Sequence, residues 1–154
     1  MARFELELPN DVIKDFQKIF DNSDRIFGDM TRAGAEVVAE NMKNNAPSNL
    51  KQFVKMTKTY KTPSDDGINT KTYISGYIPF SDPHRKFFTR GNGSGKSYST
   101  SKGVPADFIA ILYEYGRSTS PFPKHPFMRK SFKKSEIEQA MLKKQKEASG
   151  GLLE

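Results

Sequence analysis

The chain has no cysteine and only two histidines among its 154 residues. The first absence excludes disulfide stapling, a thiol nucleophile and a cysteine-ligated zinc, so the fold must rest on packing. The histidines, His84 and His125, stand about forty residues apart, and no HExxH-type pair accompanies them. That spacing carries no metal signature, and neither histidine is visibly paired with a serine and an acid for nucleophilic catalysis. Long apolar runs are also missing; none approaches the ~20 residues that span a bilayer. Met1 to Pro9 alternates charged with apolar side chains and lacks the apolar stretch of a signal peptide. These features predict a soluble protein, made and used in the cytoplasm, with no membrane partner. No catalytic, cofactor-binding or metal-binding residue is assigned.

What is present begins with length. A chain of 154 residues makes one compact domain the default. We place that domain at residues 1–148, with a flexible loop insertion at 80–103 and a disordered tail at 149–154. The net charge of +7 is unevenly spread. Residues 1–45 hold nine acids and six bases, net −3, leaving nine acids and nineteen bases, net +10, for the remainder. Such polarity suits a nucleic-acid surface, and equally a protein whose copies set the acidic part of one against the basic part of the next.

Val12, Ile13, Phe16, Ile19 and Phe20 recur at helical spacing after Asn10, a candidate N-cap. The pattern pauses at Asp21 to Asp24 and resumes through Ile26, Phe27, Met30, Ala33, Val37, Val38 and Met42, ending before Pro47. Two helices, or one broken near Asn22, are predicted, both turning apolar faces to the core. Phe53 to Thr62 and Thr70 to Ile78 are rich in Thr, Tyr, Val and Ile around a Pro63 to Gly67 turn, which predicts an antiparallel hairpin. Val104 to Gly116 is apolar enough for buried helix or buried strand, with Pro105-Ala106-Asp107 favouring a helix start. Prolines 121, 123 and 126 then stiffen a linker, and Met128 to Ala148 reads as one lysine-rich helix. The fold class expected is α+β, two N-terminal helices and a C-terminal helix on a small antiparallel sheet.

Gly91-Asn92-Gly93-Ser94-Gly95-Lys96-Ser97 ends like a phosphate-binding loop. Arg90 occupies the place where that loop needs its first glycine, and the serine-rich stretch after Lys96 is a poor helix former, so a plain glycine-serine loop is the better reading. The last helix carries Lys133, Lys134, Lys143 and Lys144, candidate interface residues that could also grip phosphate backbones. Glu136, Glu138 and Glu147 are interleaved, which favours a solvated or subunit-facing helix over a DNA-binding one. A basic DNA-binding accessory protein stands as the alternative function.

The most informative stretch is Tyr113-Glu114-Tyr115-Gly116, followed by Pro126-Phe127-Met128-Arg129. An unpaired buried carboxylate costs several kcal/mol, so Glu114 must either reach solvent at the end of its element or pair with an arginine such as Arg117 or Arg129. These residues and the order of elements around them resemble the HK97 gene-product-ten-like proteins of tailed bacteriophages and prophages. The pattern there is aromatic, glutamate, aromatic, glycine, threonine and then Pro-Phe-Leu-Arg-Pro-Ala. Tyr113, Glu114, Tyr115, Gly116, Pro126, Phe127 and Arg129 match, whereas Arg117 replaces the threonine and Lys130-Ser131 replaces Pro-Ala. The resemblance implies a tail-completion or head-to-tail joining component of the virion, assembled in the bacterial host cytoplasm. It implies a homo-oligomeric ring, docking to connector or adaptor and to tail tube or terminator proteins, with passing contact to DNA and no catalysis. Tyr115, Gly116, Pro126 and Phe127 would set the turn that positions the last helix.

Overall fold

The computed structural model describes residues 9–64, 67–90, 97–117 and 122–149. Lys96 with its glycine-serine neighbours at 91–96, and residues 150–154 of the expected 149–154 tail, lie outside them, whereas Ser149 is the buried last residue of a helix. Helix α1 (Asn10–Asp21) runs into α2 (Ser23–Asn45) through one residue, Asn22, where the break was expected. The cause is local. Asn22 leaves helical geometry at φ −102° and ψ 6°, and its Nδ2 donates to the Lys18 carbonyl at 2.8 Å, a side-chain bond that competes with the helical ladder. At the other end the expected capping by Asn10 is corrected. Pro9 is the boundary residue, its carbonyl accepting from the Val12 and Ile13 amides, and no side chain caps the helix.

The expected hairpin forms as two short ladders. Strand β1 (Val54–Met56) pairs with β4 (Thr72–Ile74) in the register Val54↔Ile74, and β2 (Tyr60–Lys61) pairs with β3 (Ile68–Asn69) nearer the turn. The chain then changes partner. Strand β5 (Tyr77–Ile78) pairs with β8 (Val104–Pro105), which delivers the chain into α3 (Ala106–Tyr115). The helical alternative for the apolar run therefore holds. The expected loop at 80–103 is corrected in part, because β6 (Phe87–Arg90) and β7 (Ser97–Thr100) pair antiparallel from Phe87↔Thr100 to Arg90↔Ser97. Its Thr and aromatic residues suit a pleated strand once a partner supplies the ladder bonds.

The single C-terminal helix is also corrected: α4 (Met128–Ser131) and α5 (Lys134–Ser149) are separated at Phe132, whose ψ of 83° is not helical. Ser131 explains the stop. It is fully buried, its Oγ bonding back to the Phe127 carbonyl at 2.5 Å while accepting from Asn45 Nδ2 at 3.1 Å, so α4 is tied to the end of α2.

The architecture is α+β. Helix α2 is the shared partner, meeting α5 along its length and also β1, β3 and β4. Ala33-Gly34-Ala35 makes the close approach possible, since a Cβ on Gly34 would lie 3.2 Å from Ile137 and Met141. The core joins Met42, Ala46, Leu50, Val54, Ala106, Ala110 and Phe127. Helix α1 departs from expectation: it buries no side chain, and Phe16 and Phe20 stay 60% and 79% exposed. Amphipathic spacing fixes which side chains share a face, but not that the chain supplies a cover for them.

Candidate functional site: the Glu114 clasp

Helix α3 ends where Gly116, at φ +76°, turns the chain out of helical geometry. A side chain there would meet the Phe122 carbonyl at 2.9 Å, so both the angle and the space select glycine. An isolated bridge between Arg117 and Phe122 closes the excursion, and the His125 amide donates to the Tyr113 carbonyl at 2.8 Å. The chain thus returns beside the helix it left. This return sets the first turn of α4 against the last turn of α3.

Glu114 occupies the junction, 1% exposed. Its Oε2 accepts from the backbone amides of Phe127 at 2.9 Å and Met128 at 3.0 Å; its Oε1 accepts from the Arg129 amide at 3.3 Å and Arg129 Nε at 2.7 Å. Those amides open α4, where a helix leaves its first N–H groups without internal partners and favours negative charge. Glu114 therefore caps a helix other than its own. Of the two arginines weighed from the sequence, Arg129 is the partner, its side chain 65% exposed. Arg129 Nη2 also donates to the Glu114 carbonyl at 3.5 Å, and its guanidinium lies 5.3 Å from the Tyr115 ring. Tyr113 packs edge-on against Phe122 at 5.0 Å, and Phe127 is buried.

Burial pushes the Glu114 carboxyl up, the largest single influence, but the Arg129 hydrogen bond and then the amides of Met128, Arg129 and Phe127 together outweigh it. The carboxyl is held below its ordinary value of 4.5, while Arg129, bonded to it, is held higher than usual. An ionised carboxylate offers about four acceptor positions, and four donors already face it here. It is occupied as a brace and is poorly placed to take a proton from a substrate.

Tyr113, Glu114, Tyr115, Gly116, Phe127 and Arg129 thus come together as one device, and Pro126 is the half-buried residue that precedes the first donating amide. The candidate interface lysines do not converge in the same way. Lys133 bonds Glu136 at 2.8 Å, Lys134 lies 3.6 Å from Glu138, and Lys144 bonds Glu147 at 2.7 Å, all within or at the start of α5, with Lys143 exposed. Glu136 is held below its ordinary value by the Lys133 bond and then by Asn41; Glu147 is held low, and Lys144 high, by their mutual bond. His84 and His125 are both exposed, and among the described residues no group of three or more His, Asp or Glu is placed to hold a metal. No helix of the described residues is long and apolar enough to cross a membrane.

Sequence reasoning missed Asn45 and Ser131, which lock α4 in place. A buried serine two residues after the Pro-Phe-Met-Arg stretch gives no periodic signal. Comparison with protein-family models, with curated proteins and with solved structures finds no match for this chain.

Proposed function

We propose that the protein is a structural subunit of the neck of a tailed bacteriophage or prophage, a tail-completion or head-to-tail joining component. The observation that supports this reading is the Glu114 clasp. The two separated sequence segments that carry the resemblance are halves of one brace, with Glu114 in the first bonded to the backbone and side chain of the second. A buried carboxylate used to fix the angle between two helices suits a part that must present a fixed shape to neighbours in a many-copy assembly. It does not suit a site that turns over a substrate.

On this reading the protein is not an enzyme and resides in the virion neck. It assembles as a homo-oligomeric ring, with connector or adaptor proteins on the head side and tail tube or terminator proteins on the other. DNA passes it without sequence-specific contact. The alternative, a DNA-binding accessory protein, is weakened by the glutamates that engage Lys133, Lys134 and Lys144. Removing the gene from its phage and imaging lysates by electron microscopy tests the proposal. Filled heads lying beside separate, complete tails are expected; normal joined particles would refute it.

A further inference from the structure

Among the described residues two helices carry exposed apolar rows, one on a net-acidic helix and one whose C-terminal end is ringed by basic groups. The first is on α1, where Ile13, Phe16 and Phe20 are 42%, 60% and 79% exposed. Its polar side carries Asp11, Asp15 and Asp21 against Lys14 and Lys18, and Lys18 is already bonded to Asp15 at 3.1 Å. The second is on α3. Ala106, Ala110 and Glu114 face inward, which leaves Ile111 and Tyr115 on the outer side at 51% and 60% exposure, beside Phe108 at 38%, which packs edge-on against Phe87 at 5.1 Å. Basic groups border its Tyr115 end, Arg129 over Tyr115 and Arg117 and Lys124 around the hollow that Tyr115 helps to line, while the exposed Asp107 stands one turn before Ile111.

We propose that α1 of one copy docks on the outer face of α3 of the next, Phe16 and Phe20 covering Ile111 and Tyr115. The proposal rests on the neck-subunit reading and names the surface through which copies meet. Three features of the molecule favour a second copy as the occupant. The acidic 45 residues that contain α1, net −3, complement the remainder of the chain at net +10. Taking about 200 Å² for a whole aromatic side chain, covering both rows removes on the order of 700 Å² of apolar surface. That is about the apolar share of the smallest stable interfaces, a contact strengthened when several close a ring. An anionic membrane is a poor occupant, because helices that lie on such membranes carry lysine and arginine on the polar face, whereas α1 is net acidic. The contact joins unlike surfaces, so every copy offers one of each and the arrangement can close cyclically.

Sedimentation velocity on the full chain at low salt tests this with Phe16→Asp and Ile111→Asp, both at side chains more than half exposed, thermal melts confirming folding. Wild type should sediment as an oligomer and each variant as a 17.4 kDa monomer. An equimolar mixture of the two should recover a dimer and nothing larger, because only one intact α1 and one intact α3 face remain to meet. Should Phe16→Asp fail to fold, Phe20→Asp repeats that arm. A monomeric wild type, a variant that still associates, or a mixture that stays monomeric overturns the proposal. So does binding of wild type to anionic vesicles that Phe16→Asp alone abolishes while association persists, which assigns α1 to a membrane. A Phe16→Asp protein that associates normally but melts lower assigns the α1 stripe to cover within its own chain. Variants that lose association while their phage still joins heads to tails would refute the neck role and leave the contact standing.

Discussion

Replacing Glu114 by alanine removes the acceptor for three backbone amides and for Arg129 Nε at once. Breaking a buried charged pair from one side costs about 3–5 kcal/mol in general. The lower end applies here, because the Arg129 side chain is 65% exposed and can rehydrate, while the amides at the start of α4 cannot all do so. A loss of about 3 kcal/mol lowers the melting temperature of a chain this size by roughly 6–12 °C. Glu114→Gln keeps the shape and one acceptor oxygen but turns an NH2 group toward donors, so about half that fall is expected. The pH dependence has a definite sign. Burial raises the carboxyl and its hydrogen bonds lower it further, leaving the folded value below 4.5. The stabilisation is therefore complete above the unfolded value near 4.5 and is lost as pH falls through the folded value. Differential scanning calorimetry from pH 7 to pH 3 should show wild type losing its advantage over Glu114→Gln in acid. A Glu114→Ala protein melting within about 2 °C of wild type at pH 7 would refute the clasp as the brace between α3 and α4.

Gly116→Ala forces a side chain into positive φ and against the Phe122 carbonyl, and chemical denaturation should read a loss of about 1–3 kcal/mol. Leu50 is fully buried in the core, so Leu50→Ala should cost about 2–5 kcal/mol by the same measurement. Phe20→Ser, at a side chain 79% exposed, should change monomer stability by no more than about 0.5 kcal/mol. Acid-to-base contact between copies is screened by salt, so raising sodium chloride from about 50 mM to 500 mM should shift sedimentation toward the monomer; an assembly indifferent to salt removes the charge argument. A gel shift at physiological salt separates the functional alternatives, since tight duplex binding by a monomer would favour the DNA-binding reading over the neck subunit.

Local signals in the sequence placed α1, α2 and α3, but not the stop at Phe132 that divides the last helical stretch into α4 and α5. The break at Asn22, the start of α3 after Pro105 and its end at Gly116 depend on residues within one turn of each event. The hairpin centre was legible too, through its turn residues and its β-branched and aromatic neighbours. The transfer of Tyr77 and Ile78 to Val104 and Pro105 was not, because a strand's partner lies at no fixed sequence distance. The pairing of Phe87–Arg90 with Ser97–Thr100 hid inside a segment whose composition resembles loop.

Glu114 shows the division most clearly. Its place in an apolar run required that the carboxylate either escape to water or be fully partnered, since desolvation of a charge is a property of the residue type. Which arginine answers it, and that three amides of another helix do so as well, depended on the chain returning from Gly116 to Phe127. Likewise the α1 stripe was plain in the spacing of Val12 to Phe20, yet its exposure was not. Periodicity assigns side chains to a face, whereas burial needs a second surface, and only the tertiary structure decides whether the same chain provides it.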